Sequence, residues 1–170
     1  MTDVRMMVLA LGAKGYTCAQ MLIIGALRLM GRENSDLVRA VGGLAQGAGC
    51  GELCGALSGG VCLLSLYTGK GLDSEMPHNK GELLNSELTD WFADELCQGN
   101  GMTCAAILNR IMDSMEGCNA SDKRRRCETH CINMVVKAWE KCLELLKDNG
   151  FELTEGRNLE ISPMSVGEAV

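Results

Sequence analysis

Residues 49–60 read GCGELCGALSGG: Cys50 and Cys54 stand four positions apart in a run of glycines, with Glu52 as the only charge. The residues that follow, VCLLSLYT, are apolar or small, and the whole stretch predicts a helix over residues 51–68. Gly51, Gly55 and Gly59 recur every fourth residue. One face of such a helix has no side chains, so another backbone can approach it, while Cys50, Cys54, Ser58 and Cys62 form the adjoining stripe. Cys54 then lies in the first turn, where unpaired N–H groups and the helix dipole favour a thiolate and lower its pKa. The plain alternative is packing, because cysteine is a small buried hydrophobe and an i, i+4 pair on an apolar helix is commonly core.

Outward from this stretch the pattern stays helical. Val4, Met7, Val8 and Leu11 share one face of a helix over residues 3–13, which Gly15 ends. A second apolar helix runs over 17–30 and stops at Gly31, and Asn34 or Ser35 caps a third. Glycines and Pro77 between residues 69 and 81 mark a loop. Residues 83–97 return to helix with Leu84, Leu88, Trp91, Phe92 and Cys97 on one side. After QGNG comes a short helix over 103–115, and then a long one over 123–148 that turns Cys131, Val135, Ala138, Trp139, Cys142 and Leu145 inward. The expectation is an all-α, compact single domain of about six helices over residues 1–150, with a Gly/Cys-rich central helix. Residues 151–170 are a C-terminal extension, read as a short hairpin or an ordered arm.

Composition limits the partners. The 170 residues carry 16 Lys and Arg against 22 Asp and Glu, for a net charge of −6, so the average field repels a nucleic-acid backbone. Two residues each of Phe, Trp and Tyr leave little to stack on bases. The N-terminal stretch has Arg5 inside its short apolar run and no convincing cleavage site, which reads as cytoplasmic. Leu53–Gly69 is free of charge, but it is 17 residues long and interrupted by glycines and serines, so no membrane span is expected. Ten cysteines in a reducing compartment point to metal binding or catalysis rather than a disulfide framework.

The motif CGALSG at Cys54–Gly59, GYTCAQ around Cys18, WFADELCQGNGMTCAAIL with Cys104, and CINMV with Cys131 together resemble the family known by its cysteine pattern C-GCAxxG-C-C, to which a redox role is ascribed. The resemblance covers about residues 5–148. It extends to the cysteine-cluster domain of split-Soret cytochrome c, which adds haems to such a domain and whose cysteines are taken to hold an iron–sulfur centre. What it implies is a four-cysteine site of Cys18, Cys54, Cys104 and Cys131, each on a different helix; the four form no short CxxC pair, so only the tertiary fold can assemble them. No CxxCH is present, so covalent haem is not expected, and His78 and His130 read as loop and surface residues rather than ligands.

Several mechanisms stay open at the level of sequence. Four thiolates can ligate a [2Fe–2S] or [4Fe–4S] cluster in an electron carrier. Alternatively, Cys54 acts as a reactive thiol in thiol–disulfide exchange, resolved by Cys50 or Cys18. Structural zinc also accepts four cysteines, and a non-redox binding role is the remaining option. Cys127 and Cys131 repeat the i, i+4 spacing, which makes Cys127 a secondary candidate ligand. Cys62, Cys97, Cys118 and Cys142 read as core or incidental. The run KRRRC at 123–127 reads first as a solvated face, and more sharply as a means of stabilising a thiolate at Cys127 or docking an acidic redox partner. The partner expected is an unidentified redox protein, and a homodimer stays open.

Overall fold

The computed structural model describes residues 3–156. Seven α-helices make up the described chain: α1 (Val4–Ala13), α2 (Cys18–Leu29), α3 (Ser35–Gly42), α4 (Gly55–Thr68), α5 (Gly81–Trp91), α6 (Cys104–Asp113) and α7 (Ala120–Asp148). No strand occurs among the described residues; one isolated antiparallel bridge joins Leu53 to Thr103.

The helices start where side chains can take up their free N–H groups. Asp3 accepts from the Arg5 amide at 2.9 Å, Asn34 from Leu37 at 2.9 Å, Thr103 from Ala106 at 3.1 Å and Asn119 from Asp122 at 2.9 Å. At α2 the Gln20 side chain reaches back and accepts from the Thr17 amide at 3.0 Å.

Helix α2 buries Ala19, Met21, Leu22, Ile23, Gly25, Ala26 and Leu27. So wide an apolar surface needs neighbours on several sides. α4 is the most extensive of them, and α1, α3 and α7 cover the rest. α2 and α4 meet through the missing side chain of Gly59, where an added Cβ would stand 2.6 Å from Ala19 Cα. The long α7 crosses α1, α2, α4, α5 and α6. It seats its Trp139 ring against Gly25, where a Cβ would lie 2.5 Å from Trp139 Cζ3. Phe92, Leu57, Leu63, Leu64, Leu84, Leu88 and Leu146 complete the core.

One of the sequence expectations shifts. Helix α4 starts at Gly55 rather than at Gly51, so Gly55 and Gly59 form the bare face, and Gly51 lies before the helix with φ +82°. The stretch before α4 is a left-handed loop: Gln46, Gly47, Ala48, Gly49 and Gly51 all have positive φ. The charge-free stretch Leu53–Gly69 is largely this buried core helix, and among the described residues no helix is long and apolar enough to cross a membrane.

After α7 the chain folds back. Tyr67 Oη donates to the Leu153 carbonyl at 2.8 Å, Arg32 Nη2 to the Glu155 carbonyl at 2.9 Å, and the Phe151 ring lies 4.8 Å from that of His78. Residues 151–156 therefore rest on the helical body as an irregular turn. The hairpin or arm expected over 151–170 forms no strand in its first six residues, and residues 157–170 lie outside the described residues.

Candidate functional site

The Leu53–Thr103 bridge organises the cysteines. The Cys54 amide donates to the Met102 carbonyl at 3.0 Å and the Cys104 amide to the Glu52 carbonyl at 2.6 Å. In an antiparallel pair residues two apart share a face. Cys54 and Cys104 therefore lie diagonally on the side opposite Leu53 and Thr103. The bridge thus clamps the N-terminus of α4 beside that of α6. Cys54 is the N-cap of α4 and Cys104 the first residue of α6.

Cys18 opens α2, a third helix N-terminus, and reaches the same place through Gly55. A Cβ built on Gly55 would collide with Cys18 Sγ and come within 3.1 Å of the Leu44 carbonyl, so glycine is what lets this sulfur sit against α4. Cys131 approaches from α7. Cys54 feels the charges of Cys18 and Cys104, Cys104 that of Cys18, and Cys131 those of Cys54, Cys104, Cys18 and Cys127. Every pair among the four is thus within electrostatic reach.

The sign of the Cys54 shift is opposite to the sequence expectation. Burial pushes its thiol up to about 11, while the N–H groups of Ala56 and Leu57 pull the other way and the charges of Cys18 and Cys104 add to the rise. The helix end does favour the thiolate, but taking the sulfur out of water outweighs it. Cys18 is raised by burial against the backbone N–H groups of Ala19, Cys18 and Gln46. Cys104 is raised by burial and then by the charge of Cys18. At Cys131 burial and the neighbouring cysteines push the thiol up to about 12, although the residue as a whole is exposed at the rim. Without a cation among them, these four sulfurs hold their protons at neutral pH.

Cys50 is not on α4. It sits exposed in the left-handed loop, where its Sγ–H donates to the Gly47 carbonyl at 3.1 Å, so the regular i, i+4 relation with Cys54 does not exist. Cys127 is half-buried on α7 beside Cys131. Cys97 and Cys142 are fully buried core residues, Cys62 is half-buried and Cys118 is exposed after α6. His78 lies in the loop before α5, with Nδ1 accepting from the Lys80 amide at 3.2 Å. His130 is less of a surface residue than expected. It is half-buried, its Nε2 has no hydrogen-bond partner among the described residues, and its pKa is lowered by burial and by the charges of Arg110, Arg126 and Lys137.

Sequence reasoning did not find the residues that shape the approach. Gly47 has φ +62°, and a Cβ there would strike the Glu52 backbone, so the tight loop that delivers Glu52 to the bridge needs glycine. Gln98, Gly99 and Gly101, all at positive φ, do the same for the chain entering α6. The signal available was glycine density on both sides, in GAGCG and QGNG.

The family described as "Putative redox-active protein (C_GCAxxG_C_C)" matches residues 16–145. The chain belongs to this family. No curated protein and no solved structure matches it significantly. The matched span of the C_GCAxxG_C_C family runs from just before Cys18 to beyond Cys131, so all four cysteines lie inside it.

The donor set is four soft sulfurs, which suits zinc or an iron–sulfur cluster. Among the described residues, no group of three or more His, Cys, Asp or Glu side chains is arranged to hold a metal ion. Tetrahedral zinc with bonds of about 2.3 Å needs its sulfurs about 3.8 Å from one another.

Proposed function

We propose that Cys18, Cys54, Cys104 and Cys131 hold an iron–sulfur cluster, [2Fe–2S] or [4Fe–4S], and that this C_GCAxxG_C_C protein is an electron carrier. The observation that carries the reading is the gathering of four thiols from four helices into mutual reach, two of them clamped by the Leu53–Thr103 bridge.

A bound cluster supplies a one-electron couple whose potential depends on charge, burial and hydrogen bonds to sulfur. The chain's own residues supply the rest. Helices α2, α4 and α6 turn their positive ends to the site, which favours the net negative charge of a thiolate-ligated cluster. The N–H groups of Gln46, Ala56 and Leu57 are aimed at Cys18 and Cys54 and would moderate the charge on those sulfurs. Cys18 and Cys54 are half-buried, which limits water, while Cys131, exposed as a residue although its thiol is buried, offers electrons a route to the surface.

Thiol–disulfide exchange at Cys54 finds less support. An attacking thiol works best with a pKa near ambient pH, and burial holds this one at about 11. The deciding experiment is absorption spectroscopy with metal analysis of protein purified without oxygen. Visible charge-transfer bands with iron and acid-labile sulfide are expected. A colourless protein containing zinc, or no metal and a titratable disulfide, would overturn the reading.

A further inference from the structure

Beside Cys127 and Cys131 the surface changes sign. Residues 123–137 carry five cations, Lys123, Arg124, Arg125, Arg126 and Lys137, and one acid, Glu128, for a net +4. The whole chain is −6, so the other 155 residues together carry −10. The concentration is not only a run in sequence. Arg110 comes across from α6, with its Nη1 donating to the Cys97 carbonyl at 2.9 Å, and its charge acts on His130 together with those of Arg126 and Lys137. Cations from two helices therefore gather around the residue next to Cys131.

We propose that this basic ridge docks the acidic face of a protein electron-transfer partner and seats it over the Cys131 edge of the cysteine site. The proposal deepens the electron-carrier reading and rests on it. In a molecule that is acidic elsewhere, the ridge creates a local attractive field that steers an acidic surface to the Cys131 end of the site. Its pattern also selects the kind of partner. Arg124 is held by Glu128 at 2.8 Å and Arg125 by Asp122 at 3.5 Å, so acids are interleaved with the cations. Lys123, half-buried, and Arg126, exposed, make no ion pair among the described residues. Such an alternation matches a patterned protein surface better than the unbroken charge of a polyphosphate or an anionic membrane. The ridge has no stacking platform for bases either, since the exposed aromatic among the described residues is Tyr16, between α1 and α2.

The test uses the full chain, as purified without oxygen, and a fluorescein-labelled decaglutamate peptide as probe. Binding is expected at an ionic strength of about 0.01 M and should weaken at least tenfold at about 0.15 M as screening shortens the field's reach. The amide NMR signals of Cys127, His130 and Cys131 should shift on binding. Lys123→Glu with Arg126→Glu should lower the affinity at least tenfold, and Lys123→Gln with Arg126→Gln by an intermediate factor. Unchanged affinity in the reversed variant would overturn the proposal, as would tighter binding to an oligothymidylate of equal charge or to phosphatidylserine vesicles. Iron is measured on the same samples. Peptide binding by an iron-free protein upholds the ridge as an acidic-protein surface while removing the electron-carrier reading; an iron-loaded protein that ignores the peptide does the reverse.

Discussion

Gly55 and Cys18 occupy one volume: the place where a side chain on Gly55 would begin is filled by the sulfur of Cys18. The first turn of α4 and the first turn of α2 can touch only because one residue has no Cβ. Gly55→Ala must therefore displace Cys18 or part the two helices. The expected result is loss of most bound iron, with a stability cost of about 1–3 kcal/mol from overpacking. Gly43→Ala is the control. Gly43 has a helical φ of −65° and meets only the Ala40 carbonyl at 3.5 Å, so stability should change by less than about 0.5 kcal/mol. Metal analysis and thermal melts of both variants check this.

Gly59 tests the packing apart from the chemistry. An added methyl would stand 2.6 Å from Ala19 Cα, and backbone cannot give way as a flexible side chain can. Alanine is the better helix former by about 1 kcal/mol, yet Gly59→Ala should still destabilise the protein by about 1–3 kcal/mol, because the clash separates the two central helices. Chemical denaturation measures the balance, and a more stable variant would show that α2 and α4 are not in close contact.

The cysteines divide by location. Cys142 is fully buried, and its Sγ–H donates to the Gly60 carbonyl at 3.7 Å on the far part of α4. Cys142→Ala should cost about 1–2 kcal/mol of stability and leave the iron content per folded molecule unchanged. Cys131→Ser, at an exposed position, should cost little stability in metal-free protein and most of the iron. A melt and an iron assay on each variant separate core sulfur from site sulfur.

Proton linkage gives a further expectation. Burial raises the folded-state pKa of Cys54 to about 11 and of Cys131 to about 12, above the ordinary thiol value of 9.0. The unfolded chain therefore releases these protons first as pH rises. The metal-free protein should keep this stability below pH 9 and lose it progressively from there towards pH 12. At neutral pH the same thiols are protonated, so reconstitution with ferrous iron and sulfide should release about one proton for each cysteine that becomes a ligand. A pH series of melts and a pH-stat titration during reconstitution check the two halves.

Much of the helical frame is legible in the sequence because local signals carry it. Asn34 caps α3 as its residue type suggests, and Gly15 and Gly31, both at positive φ, follow the ends of α1 and α2. The start of α4 is not legible, because a glycine reads the same in a helix and in a left-handed loop, and because Gln46 and Ala48 adopt positive φ without being glycine. The pKa of Cys54 goes the other way for a related reason: the helix end can be seen in sequence, whereas burial depends on what α2, α6 and α7 bring against it. The bridge between residues 53 and 103 links segments fifty positions apart, and no spacing rule reveals it. The grouping of Cys18, Cys54, Cys104 and Cys131 came from resemblance to the C_GCAxxG_C_C family, not from their separations.

Cys54 joins the bridge, the start of α4 and the contact with Cys18, so the central claim is tested most directly there. The measurement is iron and acid-labile sulfide per chain in wild type and in Cys54→Ser, both purified without oxygen and both shown to be folded. Stoichiometric iron and sulfide in wild type, falling by most of its amount in Cys54→Ser, is the result expected of a four-cysteine cluster site. Wild-type protein without iron, or a Cys54→Ser variant that retains it in full, would contradict that site.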